Sequence, residues 1–169
     1  MKTQTAIFAM GCFWSPEYIF SKINGVIKTG VGYTGCNPEC KNPTYEQVCS
    51  ESLGCAEAIQ IEFDPEVISY NQLLDIFWTN HDPTQINRQG PDIGSQYRSA
   101  IFYYDEKQKT QALKSKERYS KLLIDKTKKI VTEITQAGQF YNAEEYHQKF
   151  IEKTGQACHV PRRVFIYSN

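Results

Sequence analysis

"TAIFAMGCFWSPEYIFSKINGVIKTGVGY", residues 5–33, reads as strand, glycine turn, helix, strand, and the fold follows from what repeats after it. Thr5 to Ala9 is a buried run of strand length that leads into the Gly11 turn. Ser15 is the expected N-cap of the helix, with Pro16 at its first position and Glu17 in its first turn. Tyr18, Ile19, Phe20 and Ile23 carry that helix to an Asn24-Gly25 stop. Val26 to Tyr33 is β-branched and alternating, as a strand requires.

The same order recurs further on. In "AEAIQIEFDP" (56–65), Glu57, Ile59, Ile61 and Phe63 share one face of a strand. Ser69 caps a helix expected to run to about Asn80, and "YRSAIFYY" (97–104) is the strand that follows it. Two β-α-β units in succession predict a ferredoxin-like, split βαβ arrangement: an α+β sandwich of two layers with a mixed sheet and long loops. Asp105 to Leu123 is expected as a further helix, Ile130 to Thr135 as a strand and Ala143 to Lys153 as a last helix. Thr34 to Gly54 and His81 to Gln96 read as loops. With 169 residues and neither an internal repeat nor a linker, residues 1–169 are expected to form a single domain.

Charge narrows the function. Lys+Arg and Asp+Glu each total 19, and a balanced chain without a basic face argues against nucleic acid. No apolar stretch approaches the roughly 20 residues of a membrane span, and no signal peptide is read, so a cytoplasmic protein with no membrane role is expected. The six cysteines, at 12, 36, 40, 49, 55 and 158, are then catalytic, metal-binding or inertly buried rather than a disulfide framework.

Cys12 is the informative one. A strand, a glycine turn and a helix start place it where backbone N–H groups and the helix dipole favour a thiolate. Phe13 and Trp14 beside it are either core or an apolar pocket for a small methyl-bearing group. Glu57 shares the apolar face of its strand; a carboxyl buried there is held toward its neutral form and suits a general acid, whereas one at a strand end leans into water. Tyr33 and Tyr97 end and open strands, and either phenol can reach a ligand oxygen or simply pack.

Two other functions fit parts of the pattern. A cysteine hydrolase needs a histidine base near Cys12, for which His81 and His147 are the candidates. A zinc module needs Cys36, Cys40, Cys49 and Cys55, but the gaps of three, eight and five residues are loose, and Cys49 follows Val48 in what reads as buried chain. No resident metal is expected. Glu144-x-x-His147 has the spacing of one half of a carboxylate-bridged metal site, and a packed histidine is the simpler reading.

Seven motifs in register, "GCFW" (11–14), "GYTG" (32–35), "NPTYEQVCS" (42–50), "GCAEA" (54–58), "HDPT" (81–84), "RQGPDIGSQYRSA" (88–100) and "AEEYHQ" (143–148), resemble the class A peptide methionine-S-sulfoxide reductases over nearly the whole chain. The resemblance implies that Cys12 attacks the sulfoxide sulfur, that Phe13 and Trp14 hold the methyl group, and that Glu57 protonates the oxygen with help from Tyr33 and Tyr97. It implies that Asp92 supports the site from its loop and that Cys158 in the tail resolves the resulting sulfenic acid. Cys36 and Cys40 are secondary recycling thiols in this reading, and Cys49 and Cys55 look too tethered to compete. Its substrates are oxidised proteins and peptides and free methionine sulfoxide, its reductant a thioredoxin, with no cofactor and a monomeric chain. Three departures stand out: Cys55 replaces a histidine, Cys36 a glycine and Phe150 a tyrosine usual in that family.

Overall fold

Alternating apolar residues on both sides of Gln4–Met10 (β1) mark a strand buried from above and below. The computed structural model, which describes residues 2–156 and 164–168, places it inside a six-stranded sheet. The elements that follow are α1 (Trp14–Ser21), β2 (Val26–Thr34), α2 (Tyr45–Cys49), β3 (Ala56–Phe63) and α3 (Tyr70–Thr79). Then come a small hairpin, β4 (Arg88–Gln89) and β5 (Asp92–Ile93), and β6 (Ser99–Tyr103), α4 (Glu106–Leu122), β7 (Glu133–Gln136), β8 (Tyr141–Asn142) and α5 (Phe150–Thr154).

The sheet order is β7-β6-β1-β3-β2-β8. Its central four strands pair antiparallel in the order a split βαβ demands, and α4 carries the chain across to β7, which lies parallel to β6. The α+β expectation therefore holds. One face of β1 and β3, with Ala6, Phe8, Met10, Ile59, Ile61 and Phe63, packs on Phe20 of α1, Leu73, Leu74, Phe77 and Trp78 of α3, and Ala112 and Tyr119 of α4. The other face, with Ile7, Ala9, Ala58, Ala100 and Phe102, is covered by Ala137 and Phe140 of a loop. Gly32 on β2 leaves room there: a side chain would run into the Phe140 ring and the Tyr141 carbonyl.

Several expectations shift, each for a local reason. The helix after Cys12 starts at Trp14 with Phe13 as its cap, because the Phe13 N–H donates 3.2 Å to the Glu57 carboxyl and no Ser15 cap is needed. The strand expected at Ile130 begins at Glu133, because the Val131 N–H is drawn away to the Pro83 carbonyl. The last helix, expected from Ala143, is instead a 3₁₀ turn at Glu145–His147 followed by α5. Lys149 between them has φ +53° and donates its N–H to Glu17, while the Gln148 amide pairs with both the N–H and the C=O of Val31 on the β2 edge. The loop from Thr34 to Gly54 contains α2, set by a Thr44/Gln47 capping box.

His81 follows α3 and is buried. The Phe77 carbonyl can only accept, so Nδ1 donates to it at 2.7 Å, and Nε2 accepts from the Ser99 hydroxyl at 2.7 Å. Burial pushes the His81 pKa down from 6.5 to about 4. Between those values the unfolded chain binds the proton and the folded one does not, so stability is lost as pH falls. The loss attributable to His81 from pH 6.5 to about 4 approaches about 3 kcal/mol. Urea melts across that range are expected to show His81→Gln losing correspondingly less than wild type. Equal losses in the two proteins would mean that His81 is not held neutral.

Candidate active site

β1 ends beside β6 at the Met10–Ser99 pair, and the chain turns at Gly11, where φ is +89°. A Cβ at Gly11 would sit 2.6 Å from that of Gln89, so glycine is needed for conformation and for clearance. Gln89 cannot easily yield, since its amide accepts from the Asp82 N–H and donates to the Asp82 carbonyl, both at 2.9 Å. The β4–β5 hairpin is thereby pinned over the turn that presents Cys12, which is half-buried immediately before the first turn of α1.

Glu57 faces the same region from β3, directly opposite Tyr33 of β2, and is 1% exposed. Of its two readings, the buried one is observed. Its acceptance of the Phe13 N–H ties the carboxyl to the Cys12 turn. Burial, then the charges of Glu57, Cys49, Asp92 and Cys12, push the Tyr97 phenol above its usual range. Burial, the hydrogen bond to the Cys49 thiol and the charges of Tyr97 and Glu57 do the same to Tyr45. Both phenols therefore keep their protons at neutral pH. Cys12, Glu57, Tyr45, Tyr97 and half-buried Asp92 share one electrostatic neighbourhood.

Tyr33 is placed differently from its expected part. It is fully buried, and its hydroxyl donates 3.0 Å to Glu144, whose other oxygen accepts from the Tyr45 N–H. Burial and the Glu144 charge raise its pKa, so the phenol keeps its proton and points it at that carboxylate. Tyr45 is the phenol that the sequence reading passed over, although it stands inside "NPTYEQVCS".

The aromatic pair is braced from behind. The Trp14 indole N–H donates 3.0 Å to His147 Nδ1, which places the imidazole proton on Nε2, and burial lowers the His147 pKa. Trp14 stacks on Phe150 with centroids 3.6 Å apart and planes 8° apart. Phe13 is buried between Tyr33 and His147. The Glu17 carboxyl, buried and raised in pKa by that burial, holds the supporting segment through the Lys149 N–H at 2.7 Å. His147 is thus a packed support, and His81 gives both ring nitrogens to Phe77 and Ser99. The cysteine-hydrolase reading loses its two candidate bases.

The remaining thiols divide. Cys36 and Cys55 form a disulfide, with Cys40 Sγ 3.8 Å from Cys55 Sγ. Cys55, expected to be too tethered for thiol exchange, is therefore a bonded partner. Cys49 is exposed rather than core, because on α2 it is Val48 that turns inward. Among the described residues only three of the four loop sulfurs converge, so the four-thiolate arrangement is not assembled. Cys158 lies outside the described residues.

The sequence model of the family described as "Peptide methionine sulfoxide reductase" matches residues 4–166. A Methanosarcina acetivorans protein named peptide methionine sulfoxide reductase MsrA is 54% identical over 152 residues, 90% of this chain and 79% of that protein. The reduced form of Mxr1 from Saccharomyces cerevisiae superposes with a TM-score of 0.88 at 34% identity, covering 96% of this chain and 92% of Mxr1. Mxr1 in complex with Trx2 aligns with a TM-score of 0.62 at 25% identity, over 96% of this chain and 89% of that one.

Proposed function

The chain belongs to the peptide methionine sulfoxide reductase family, and from that premise we propose how its own residues carry the reaction. The enzyme reduces methionine sulfoxide to methionine, with electrons from thioredoxin. The Cys12 thiolate attacks the sulfoxide sulfur while a proton passes to the oxygen; methionine leaves, and Cys12 keeps the oxygen as a sulfenic acid. Cys158 then condenses with it, releasing water and forming a disulfide, which thioredoxin reduces by exchange. Cys40, or Cys36 once its bond to Cys55 is reduced, can accept that disulfide in a further exchange.

The observation that carries this reading is the placement of a buried carboxyl, Glu57, on the backbone of the Cys12 turn. In its neutral form Glu57 accepts the Phe13 N–H on its carbonyl oxygen and presents the O–H to the sulfoxide. Tyr97 and Tyr45 keep their protons and add donors to the same oxygen, and Asp92 supports Tyr97 from β5. Trp14, with Phe13 behind it, takes the methyl group on an apolar wall that Phe150 and His147 hold rigid. Such a site grips the methyl end of the substrate, so free and peptide-bound sulfoxides both enter. Residues 1–169 act as one domain and as a monomer. Among the described residues no helix is long and apolar enough to cross a membrane.

A methyl wall on one side and an oxygen clamp on the other make the site chiral. With both epimers of a sulfoxide peptide and thioredoxin or dithiothreitol, the S epimer is expected to be consumed and the R epimer spared. Equal consumption of the two would contradict the wall-and-clamp arrangement.

A further inference from the structure

The β2–β3 ladder ends at the Thr34–Ala56 pair, and three cysteines gather just beyond it. Cys55 directly precedes Ala56, Cys36 lies two residues past Thr34, and the chain folds back to bring in Cys40. We propose that Cys36, Cys40 and Cys55, once the Cys36–Cys55 disulfide is reduced, form a three-thiolate site for a thiophilic cation of the zinc type, apart from Cys12.

The first support is geometric. The three Sγ atoms lie within 4.8 Å of one another. Thiolates bound to zinc at about 2.3 Å in a tetrahedron stand roughly 3.8 Å apart, and the unbonded pair Cys40–Cys55 is at 3.8 Å. The three-residue gap between Cys36 and Cys40 also falls within zinc-ligand spacing.

The second support is that the backbone around the sulfurs does not rely on the disulfide. The Asn37 N–H donates 2.8 Å to the Leu53 carbonyl and its side-chain amide 3.3 Å to that of Ser52, closing the loop across its neck. The Cys40 N–H donates 3.0 Å to the Asn37 carbonyl, and the Tyr141 hydroxyl donates 2.8 Å to the Cys40 carbonyl from β8. Cleaving the S–S bond leaves these contacts in place, so the sulfurs part without the loop opening.

The third concerns charge and access. Cys40 and Cys55 are 6% and 2% exposed. A thiol so placed ionises when a bound cation compensates it. A cavity of about 370 Å³, lined by Cys36, Cys40, Asn37, Glu133 and Gln136 among others, provides an entry and room for water as a fourth ligand. Cys49, exposed on α2, stays outside the cluster.

The chemistry balances with a reductant the enzyme already uses. A dithiol, thioredoxin or dithiothreitol, takes over the disulfide and leaves Cys36 and Cys55 as thiols. Zn²⁺ then displaces three protons from the three thiols. Disulfide and metal exclude each other, so occupancy follows the redox state of the cluster.

The test uses the full chain, reduced with dithiothreitol, freed of reductant without air, and titrated with Co²⁺ and then Zn²⁺. One Co²⁺ per chain is expected, with thiolate charge-transfer absorption and the visible bands of a tetrahedral ion, displaced by Zn²⁺. Cys40→Ser and Cys36→Ser should each weaken binding beyond the roughly 10–100-fold that loss of an outer-shell partner costs. Circular dichroism and thermal melts of both variants separate a lost ligand from a lost fold, and Cys36 is half-exposed and the milder change. Cys12→Ser, Cys49→Ser and Cys158→Ser should bind as wild type does, and the unreduced chain should not bind. A reduced chain that holds no metal overturns the proposal. So does binding that survives Cys40→Ser and Cys36→Ser, or that is lost in Cys12→Ser.

Discussion

Cys12→Ser is expected to reduce no methionine sulfoxide above background, a loss of about 10⁴–10⁶-fold, the scale seen when an enzyme loses its nucleophile. A serine hydroxyl supplies no comparable nucleophile at neutral pH, and the turn at Gly11 cannot bring up a substitute thiol from β1. The fold should survive. Cys12 is only half-buried, the replacement is nearly isosteric, and the Phe13–Glu57 hydrogen bond is untouched. Rates with thioredoxin or dithiothreitol, alongside a thermal melt, check this. Residual turnover near that of wild type would remove Cys12 from the mechanism.

Glu57→Gln carries the second largest effect. Glutamine still accepts the Phe13 N–H on its amide oxygen, so the Cys12 turn stays closed. What it lacks is a transferable proton. General acid catalysis contributes about 10²–10⁴-fold, and the single-turnover rate should fall within that range while Cys12 stays open to alkylation. A wild-type rate would reduce Glu57 to a structural strut. A fall matched by loss of Cys12 alkylation would show that the turn itself had moved.

The parts of the fold legible in the sequence are those set by local pattern. Alternation along Ala56–Phe63 put Glu57 on the helix-packed face, where it lies opposite Tyr33. The glycine before Cys12 marked a turn that needs positive φ. Distant partners were less legible. Tyr33 and Tyr45 look alike as phenols on ordered chain, and what separates them is Glu144, 111 residues beyond Tyr33, which accepts the hydrogen bond of the Tyr33 hydroxyl. The "AEEYHQ" stretch has helical composition, yet Gln148 and Lys149 spend their hydrogen bonds on Val31 and Glu17, and the helix breaks there. The burial of Val48 says little about Cys49, because successive residues of a helix point about 100° apart and Cys49 faces outward. The pairing of Cys36 with Cys55 joins positions 19 apart across a stretch that contains α2, and no periodicity announces it.

The proposed reaction passes through one intermediate, a sulfenic acid on Cys12. Cys158→Ser, mixed with one equivalent of S-sulfoxide peptide and no reductant, isolates it. Dimedone trapping and peptide mapping should find one methionine released per chain and one dimedone adduct, on the peptide that contains Cys12. Methionine release with no adduct there, and with Cys12 instead linked to Cys36, Cys40 or Cys49, would contradict the assignment of Cys158 as the resolving thiol. No methionine release from a folded chain whose Cys12 can still be alkylated would contradict the mechanism itself.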